Sequence, residues 1–177
     1  MNIEIRPITT EADEKAVYPY QCGYSHIVEG FDDFVRRVKA APDLYLAAFG
    51  RGVCVGICHG RPSDKAKDAI GLEIIATERP GNSDYARKGI GSRLIKEFEK
   101  AVRRRGYRWI DVGAAMGVEG FYLKNGYRPY ELVATGPNHE EYERVKVKDY
   151  ESGKAKQEEL LKKHKAREVI FILEKTV

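Results

Sequence analysis

The residues with the clearest chemical potential form a loop with two glycines, Tyr85-Ala86-Arg87-Lys88-Gly89-Ile90-Gly91-Ser92. Apolar residues then recur at helical spacing, and the pattern ends in three arginines and Gly106, as helix ends prefer. Backbone N–H groups at a helix start are unpaired and lie at the positive end of the helix dipole, and glycine lets an anion approach them. The loop therefore predicts either a phosphate site or a plain turn before a surface helix.

Two nucleotide-binding motifs fit this loop poorly. A P-loop requires Lys followed by Ser or Thr after its second glycine, whereas Ser92 and Arg93 follow Gly91 here. The dinucleotide fingerprint requires a third glycine, and Leu94 occupies that place. A choice between an anion site and a plain turn needs a second, independent feature.

One side chain is a candidate for proton transfer. Glu73 lies within the apolar, strand-like run at 69–77, where a carboxylate is unusual unless it has a partner or a function. Its alternatives are a solvated face or an ion pair with a nearby Lys or Arg.

Composition indicates one globular domain of 177 residues, with 42% apolar and 33% charged residues. The net charge of +4 does not by itself indicate nucleic-acid binding. No apolar run is long enough to cross a membrane, and the first residues do not resemble a signal peptide, so we expect a cytoplasmic location. Cys54 and Cys58, in an apolar run, are expected to be buried thiols and not metal ligands.

Strand-like and helix-like patterns alternate along the chain and predict an α/β fold. A hairpin is expected around Gly50-Arg51-Gly52, and residues 136–166 are predicted to be a polar helical insertion before the last strand. We expect strands at 3–8, 44–49, 53–59, 69–77, 109–112, 127–134 and 168–175. Helices are expected from 13, at 31–40, from 90 to about 105, and at 117–125.

The second feature is the segment Phe121-Tyr122-Leu123-Lys124-Asn125-Gly126-Tyr127. Together with residues 69–106 it resembles the GNAT superfamily of N-acetyltransferases, and the resemblance covers most of residues 1–135 and the last strand. It implies a three-layer α/β (α+β) fold, with helices on both faces of a mixed, mostly antiparallel central sheet of six to seven strands. It also implies a single acetyltransferase domain over residues 1–177, with the polar insertion at about 136–166.

The resemblance implies an acyltransferase that moves an acetyl group from acetyl-CoA, its co-substrate, to an amine in a ternary complex, without a metal. Tyr122 would protonate the departing thiolate, and its alternative is a packed aromatic ring whose hydroxyl reaches water. Glu73 would take the proton of the amine. Ala86 and Ala115 depart from the family, which usually has Arg or Gln at the first position and Asn at the second. The implied cofactor-binding residues are Ile75, Ala76, Thr77, Ala86, Arg87, Lys88, Gly89, Ile90, Gly91, Ser92 and Phe121.

The acceptor is the least determined part of this interpretation. In the family it lies between the first two helices and the connection before the last strand, which makes Tyr24 and His26 acceptor-binding candidates. The acidic run Glu140, Glu141 and Glu143 either attracts a cationic amine or is a solvated face. The expected partners are acetyl-CoA and a small-molecule or peptide amine, with no nucleic acid and no membrane, and a homodimer is left open.

Two other function classes compete with transfer. A CoA-binding sensor or scaffold without transfer activity would use the same loop, and Ala86 and Ala115 favour it slightly. A nucleic-acid-binding domain would use the Lys- and Arg-rich helices, but it lacks a recognisable motif and its basic residues alternate with acidic ones.

Overall fold

A computed structural model describes residues 2–24, 29–64, 66–77 and 84–177, and these ranges contain eight strands and five α-helices. The chain forms two compact units, Met1–Arg108 with Val177, and Trp109–Thr176. The first unit contains β1 (Ile3–Pro7), α1 (Glu11–Tyr24), α2 (Phe31–Ala40), a 3-10 helix (Pro42–Leu44), β2 (Tyr45–Gly50), β3 (Val53–Pro62), β4 (Ala69–Thr77) and α3 (Ile90–Arg104). The second contains β5 (Trp109–Ala114), α4 (Glu119–Lys124), β6 (Arg128–Thr135), β7 (Glu141–Lys146), α5 (Tyr150–His164) and β8 (Glu168–Thr176).

In the first unit, β1, β2, β3 and β4 pair in that order, and every pairing is antiparallel. Successive residues of a strand face opposite sides of a sheet, so β3 shows where the helices lie. Gly60 faces α3, whereas the ring of His59 stacks on Tyr45, which accepts a hydrogen bond from Arg37 of α2. Helices α2 and α3 therefore cover opposite faces of this sheet.

The buried stripe of α3 explains why this segment is a helix. Leu94, Ile95, Phe98, Ala101 and Val102 recur at helical spacing and are fully buried. Glycine in β3 lets this stripe pack closely, because a Cβ at Gly60 would lie 2.8 Å from the Phe98 ring and 2.3 Å from the carbonyl oxygen of Gly71. The helix axis is thus held against β3 and β4.

In the second unit, β5, β8, β6 and β7 pair in that order, again antiparallel throughout. Helix α5 begins at Asp149, whose side chain accepts a hydrogen bond from the amide of Ser152 at 2.9 Å. It packs on β8 through Gly153, where a Cβ would lie 2.4 Å from the Phe171 ring. Gln157 donates a buried hydrogen bond of 2.6 Å to the carbonyl of Val169.

The α/β class and the mostly antiparallel pairing are confirmed, and the described ranges contain one strand more than the six to seven expected. The additional strand is β7, which lies in the segment predicted to be a helical insertion, so residues 136–166 hold a strand and a helix. Cys54 and Cys58 are buried thiols, as expected. The organisation as a single acetyltransferase domain stays a prediction.

None of the helices within the described ranges combines the length and the apolar character that a membrane span requires.

Asp13 joins the start of α1 to β1. Its carboxylate accepts two hydrogen bonds from the guanidinium of Arg6, at 2.5 and 2.7 Å, and one from the amide of Thr10. The Thr10 hydroxyl in turn accepts from the amide of Asp13, which completes a reciprocal cap. The hydrogen bonds from Arg6 are the main cause that lowers the pKa of Asp13 to about 2.

We predict that Asp13→Asn lowers the free energy of unfolding at pH 7 by about 2 kcal/mol, because the amide keeps the shape but loses the charge. A carboxyl with a lowered pKa stabilises the fold above its ordinary pKa of about 4. Denaturant titrations should therefore show the deficit shrinking as the pH falls from about 4 toward 2. Asp68→Asn, the same substitution at an exposed position, is the control. A deficit in Asp13→Asn that does not change with pH would contradict the prediction.

Candidate functional site

The predicted glycine loop forms a tight turn that ends at the start of α3. Arg87 and Gly89 both have positive φ, at 58° and 70°, and Gly89 is the N-cap residue of the helix. Within the described chain no side chain caps this helix start, so the first amides of α3 keep their N–H groups available. A helix start of this kind is an anion site by its geometry and its dipole.

Gly56 of β3 brings this helix start against the end of β4. A Cβ at Gly56 would lie 3.2 Å from the carbonyl oxygen of Ala76 and 3.3 Å from Cγ2 of Ile90. Both contacts are tighter than side chains usually allow, so the first residue of α3 and the end of β4 approach each other because position 56 has no side chain. The predicted cofactor-binding residues Ala76 and Ile90 are therefore neighbours.

The loop has a second support at Gly50, the last residue of β2. A Cβ there would lie 2.2 Å from the Tyr85 ring, so the ring of the first loop residue occupies the place of a side chain on Gly50. The loop is thus anchored on both sides by strand glycines.

The structure brings most of the predicted cofactor-binding residues into one region of the first unit. The end of β4 supplies half-buried Ile75, Ala76 and Thr77, and Gly89 with the first turn of α3 supplies the amides. Arg87 and Lys88 are exposed, and neither forms an ion pair with a described residue. The remaining members of the region are Ala86, Ile90, Gly91 and Ser92. Phe121 belongs to the second unit.

Glu73 lies at an irregularity in β4. The β3–β4 register pairs His59 with Ile74 and then Gly60 with Leu72, so one extra residue of β4, Glu73, falls between these pairs. This two-against-one count defines a β-bulge, which changes the direction of a side chain and often lies beside a functional site. Because of the bulge, the Glu73 side chain does not follow the regular alternation of side chains between the two faces of β4.

Three basic side chains surround the Glu73 carboxylate. Arg61 Nε lies 2.7 Å from Oε1, Arg37 Nη1 lies 3.9 Å from Oε2, and His59 Nδ1 lies 3.5 Å from Oε2. His59 is the largest cause of a lowered pKa of Glu73, and the charges of Arg61 and Arg37 lower it further. Glu73 is therefore ionised at neutral pH. The expected alternative of an ion pair with a nearby basic residue is what the first unit shows.

His59 is a buried imidazole in this cluster. Its ring is 2% exposed and stacks on Tyr45 at 4.8 Å, and within the described chain neither nitrogen has a hydrogen bond of normal length. Burial lowers the pKa of His59, so the ring is neutral at pH 7. Nδ1 of this neutral ring lies 3.5 Å from Oε2 of Glu73, so the ring is a close neighbour of the carboxylate and not a full charge beside it.

A cleft of about 500 Å³ opens beside Glu73. Its polar lining includes Glu29, Arg37, Tyr45 and Arg61, and all of them belong to the first unit. The sequence interpretation missed Arg37, Tyr45, His59 and Arg61. Only His59 carried a local signal, an imidazole at the end of an apolar strand-like run.

Tyr122 lies in α4 of the second unit. It is 7% exposed, and its ring packs edge-on against Phe121 and Tyr127, with centroids 5.2 and 5.8 Å away. The amide of Tyr127 donates to the Tyr122 carbonyl at 3.1 Å, which closes the short helix. The packed-aromatic alternative therefore describes its ring, and a role for its hydroxyl stays a prediction.

The acceptor-binding candidates are only partly described. Tyr24 ends α1, where its ring stacks on Tyr20 at 4.7 Å, and in the described chain it does not line the cleft beside Glu73. His26 lies outside the described residues.

The acidic run in the second unit is neutralised by its neighbours. Glu143 is paired with Lys163 and His164, and Glu141 with Arg144. Glu140 accepts hydrogen bonds from the amide of Asn138 and the hydroxyl of Tyr142. Of the two expectations for this run, the structure favours a solvated face.

The comparisons with known proteins agree with this geometry. The family model "Acetyltransferase (GNAT) domain" matches residues 41–129, which span β2 to the start of β6. The curated tRNA(Met) cytidine acetyltransferase TmcA of Methanopyrus kandleri is 34% identical over 64 residues, or 35% of this chain. That match covers 7% of the length of the relative.

Solved structures match along the whole chain. Ard1 from Thermoplasma volcanium superposes with a TM-score of 0.66 at 14% identity, covering 100% of this chain and 99% of its own. Arabidopsis thaliana Naa50, solved with the bisubstrate analogue CoA-Ac-MVNAL, superposes with a TM-score of 0.63 at 12% identity, covering 100% of both chains. With the family model matching half of the sequence, the chain belongs to the GNAT acetyltransferases.

Proposed function

We propose that this protein transfers an acetyl group from acetyl-CoA to an amine by direct attack within a ternary complex. The observation that carries the proposal is the contact at Gly56, which places the uncapped start of α3 against the end of β4. The helix start offers amides to a pyrophosphate, and the strand end offers backbone to the rest of the co-substrate. Naa50, a relative of the same fold, was solved with a CoA-containing bisubstrate analogue.

The reaction needs one bond to form and one to break. The amine nitrogen attacks the thioester carbonyl carbon, the C–S bond breaks, and the products are an N-acetyl amine and the CoA thiol. A backbone N–H near Ile75 to Thr77 polarises the carbonyl oxygen. Glu73 takes the proton that the amine loses, the thiolate takes a proton from Tyr122, and both side chains then exchange protons with water.

Binding both substrates at once supplies much of the rate, because positioning replaces a bimolecular encounter. Tyr122 suits the acid role, since a phenol and a thiol have similar intrinsic acidity and the proton transfer is close to balanced. A cytoplasmic location, the absence of a metal, and a homodimer stay expectations attached to this proposal.

The direct test adds acetyl-CoA and a panel of amines and follows free thiol. Thiol release that depends on an amine, together with an acetylated product by mass spectrometry, would support transfer. Binding of CoA without thiol release for any amine would instead favour a CoA-binding sensor or scaffold.

We predict that Gly91→Asp weakens CoA binding at least tenfold, because a carboxylate in the first turn repels the pyrophosphate. The same carboxylate interacts favourably with the helix dipole, so the melting temperature should be unchanged or slightly higher. Gly91→Asn has nearly the same shape without the charge, and calorimetric titration should show a much smaller loss. Intact CoA binding by Gly91→Asp would show that this loop does not hold the co-substrate.

We predict that Glu73→Gln lowers kcat/KM roughly 100-fold at pH 7, the size of effect expected for a lost general base. The deficit should shrink toward pH ~10, where the amine is increasingly neutral without help. Initial rates across the pH range measure this, and Glu4→Gln, an exposed strand glutamate, is the control. A deficit that is constant across pH would assign Glu73 a role other than that of the base.

We predict that Tyr122→Phe lowers kcat roughly 100-fold and leaves the dissociation constant of acetyl-CoA within about twofold. The ring keeps its packing, so only the hydroxyl is tested. Tyr142→Phe, an exposed tyrosine of the second unit, should leave both quantities unchanged. If Tyr122→Phe turns over at the wild-type rate, Tyr122 has no part in the chemistry.

A further inference from the structure

The cleft beside Glu73 contains two arginines that are held in very different ways. Arg37 donates to both carboxylate oxygens of Glu29, with Nε to Oε2 at 2.9 Å, and Nη1 donates to the Tyr45 hydroxyl at 3.0 Å. Glu29 accepts a further hydrogen bond from Gln21 at 2.8 Å. Glu29 and Arg37 therefore form a closed pair whose charges cancel.

Arg61 is the movable cation of the cleft. Its side chain is 64% exposed, against 31% for Arg37, and its Nε lies 2.7 Å from Oε1 of Glu73. The other carboxylate near it, Asp64, is 4.0 Å away and 91% exposed. An ion pair made by so exposed an arginine contributes little stability, so Arg61 can leave Glu73 at small cost.

An amine that gives its proton to Glu73 needs the position that Arg61 now occupies. Oε1 is covered by Arg61, and Oε2 faces Arg37 and the buried ring of His59. The incoming ammonium must therefore take the place of the Arg61 guanidinium at Oε1. Displacing Arg61 leaves its guanidinium with the exposed carboxylate of Asp64, 4.0 Å away, as a weak partner.

The charges of the described cleft residues make this exchange selective. Glu29 and Glu73 balance Arg37 and Arg61, and His59 is neutral, so the cleft has no spare negative charge for a purely cationic ligand. An acceptor that brings its own carboxylate restores the balance, because its ammonium pairs with Glu73 and its carboxylate with Arg61. The planar guanidinium can bind a carboxylate through two parallel hydrogen bonds, which suits it to the carboxylate of an acceptor.

We propose that the acceptor is an amine that also carries a carboxylate within a few bonds, and that Arg61 passes from Glu73 to this carboxylate as the amine enters. This inference rests on the proposed function, since it assigns the acceptor class of the same transfer site. The same chemistry is offered by a free amino acid and by a peptide whose first residue is acidic.

The experiment compares ligands that differ only in the carboxylate. L-lysine is paired with cadaverine, and an Asp-Ala-Ala amide is paired with an Asn-Ala-Ala amide, so the two pairs separate the free and peptide sources. Calorimetry with CoA present measures binding, and thiol release from acetyl-CoA measures transfer. We expect the wild-type protein to prefer the carboxylate member of at least one pair by about tenfold, as a charge-assisted hydrogen bond predicts.

Variants at Arg61 then locate the preference. Arg61→Gln should reduce the ratio of the two affinities within that pair to about one. Arg61→Lys keeps the charge but not the two parallel hydrogen bonds of a guanidinium, and should leave an intermediate ratio. Arg36→Gln, on the exposed face of α2 beside Arg37, is the matched control and should keep the wild-type ratio. Equal binding within both pairs, or a ratio that survives Arg61→Gln, would overturn the inference.

The two readouts separate this inference from the proposed function. A binding preference that depends on Arg61 without any thiol release would support an amine with a carboxylate as the ligand of the cleft and would refute transfer. Thiol release with no preference for a carboxylate would support transfer and refute the acceptor class.

Discussion

The contacts that hold the half-buried carboxylate of Glu73 come from three elements of the first unit. The packing of these elements must therefore keep their side chains around one carboxylate. Strand β4 provides the carboxylate, β3 provides His59 and Arg61, and α2 provides Arg37. Removing a charge from water costs several kcal/mol unless opposite charges and hydrogen bonds compensate. A one-residue shift of β3 would turn His59 and Arg61 to the other face, so the strand register and the bulge in β4 are part of the site.

The opposite face of β3 packs closely against helix α3. Gly56 and Gly60 let α3 approach the sheet so closely that a Cβ at either position would press on a side chain of the helix and a carbonyl of β4. Since alternate residues of one strand supply the glycines and the polar side chains, a single register positions both the helix start and the surroundings of Glu73. The anion site and the carboxylate are therefore coupled through β3, although their side chains lie on opposite faces.

The loop and α3 could be predicted from sequence because their signals are local: two glycines, a helical apolar period and arginines before Gly106. Glu73 could be singled out because a carboxylate in an apolar strand is conspicuous. Its partners could not, since Arg37 lies 36 positions earlier and only the tertiary fold brings it near. Strand β7 was missed for a similar reason, because its exposed, charged side chains carry little apolar alternation and it is a strand through pairing with β6.

Charge attraction alone does not explain how an amine would be selected. The acidic run of the second unit is paired with Lys163, His164 and Arg144, and the cleft of the first unit has as many arginines as glutamates. A site with balanced charges has no long-range field to steer a cation, so recognition depends on exchanging one ion pair for others at contact. The lowered pKa of Glu73 leads to the same conclusion. His59 is the largest cause of that lowered pKa and the charge of Arg61 adds to it, so the departure of Arg61 raises the basicity of the carboxylate.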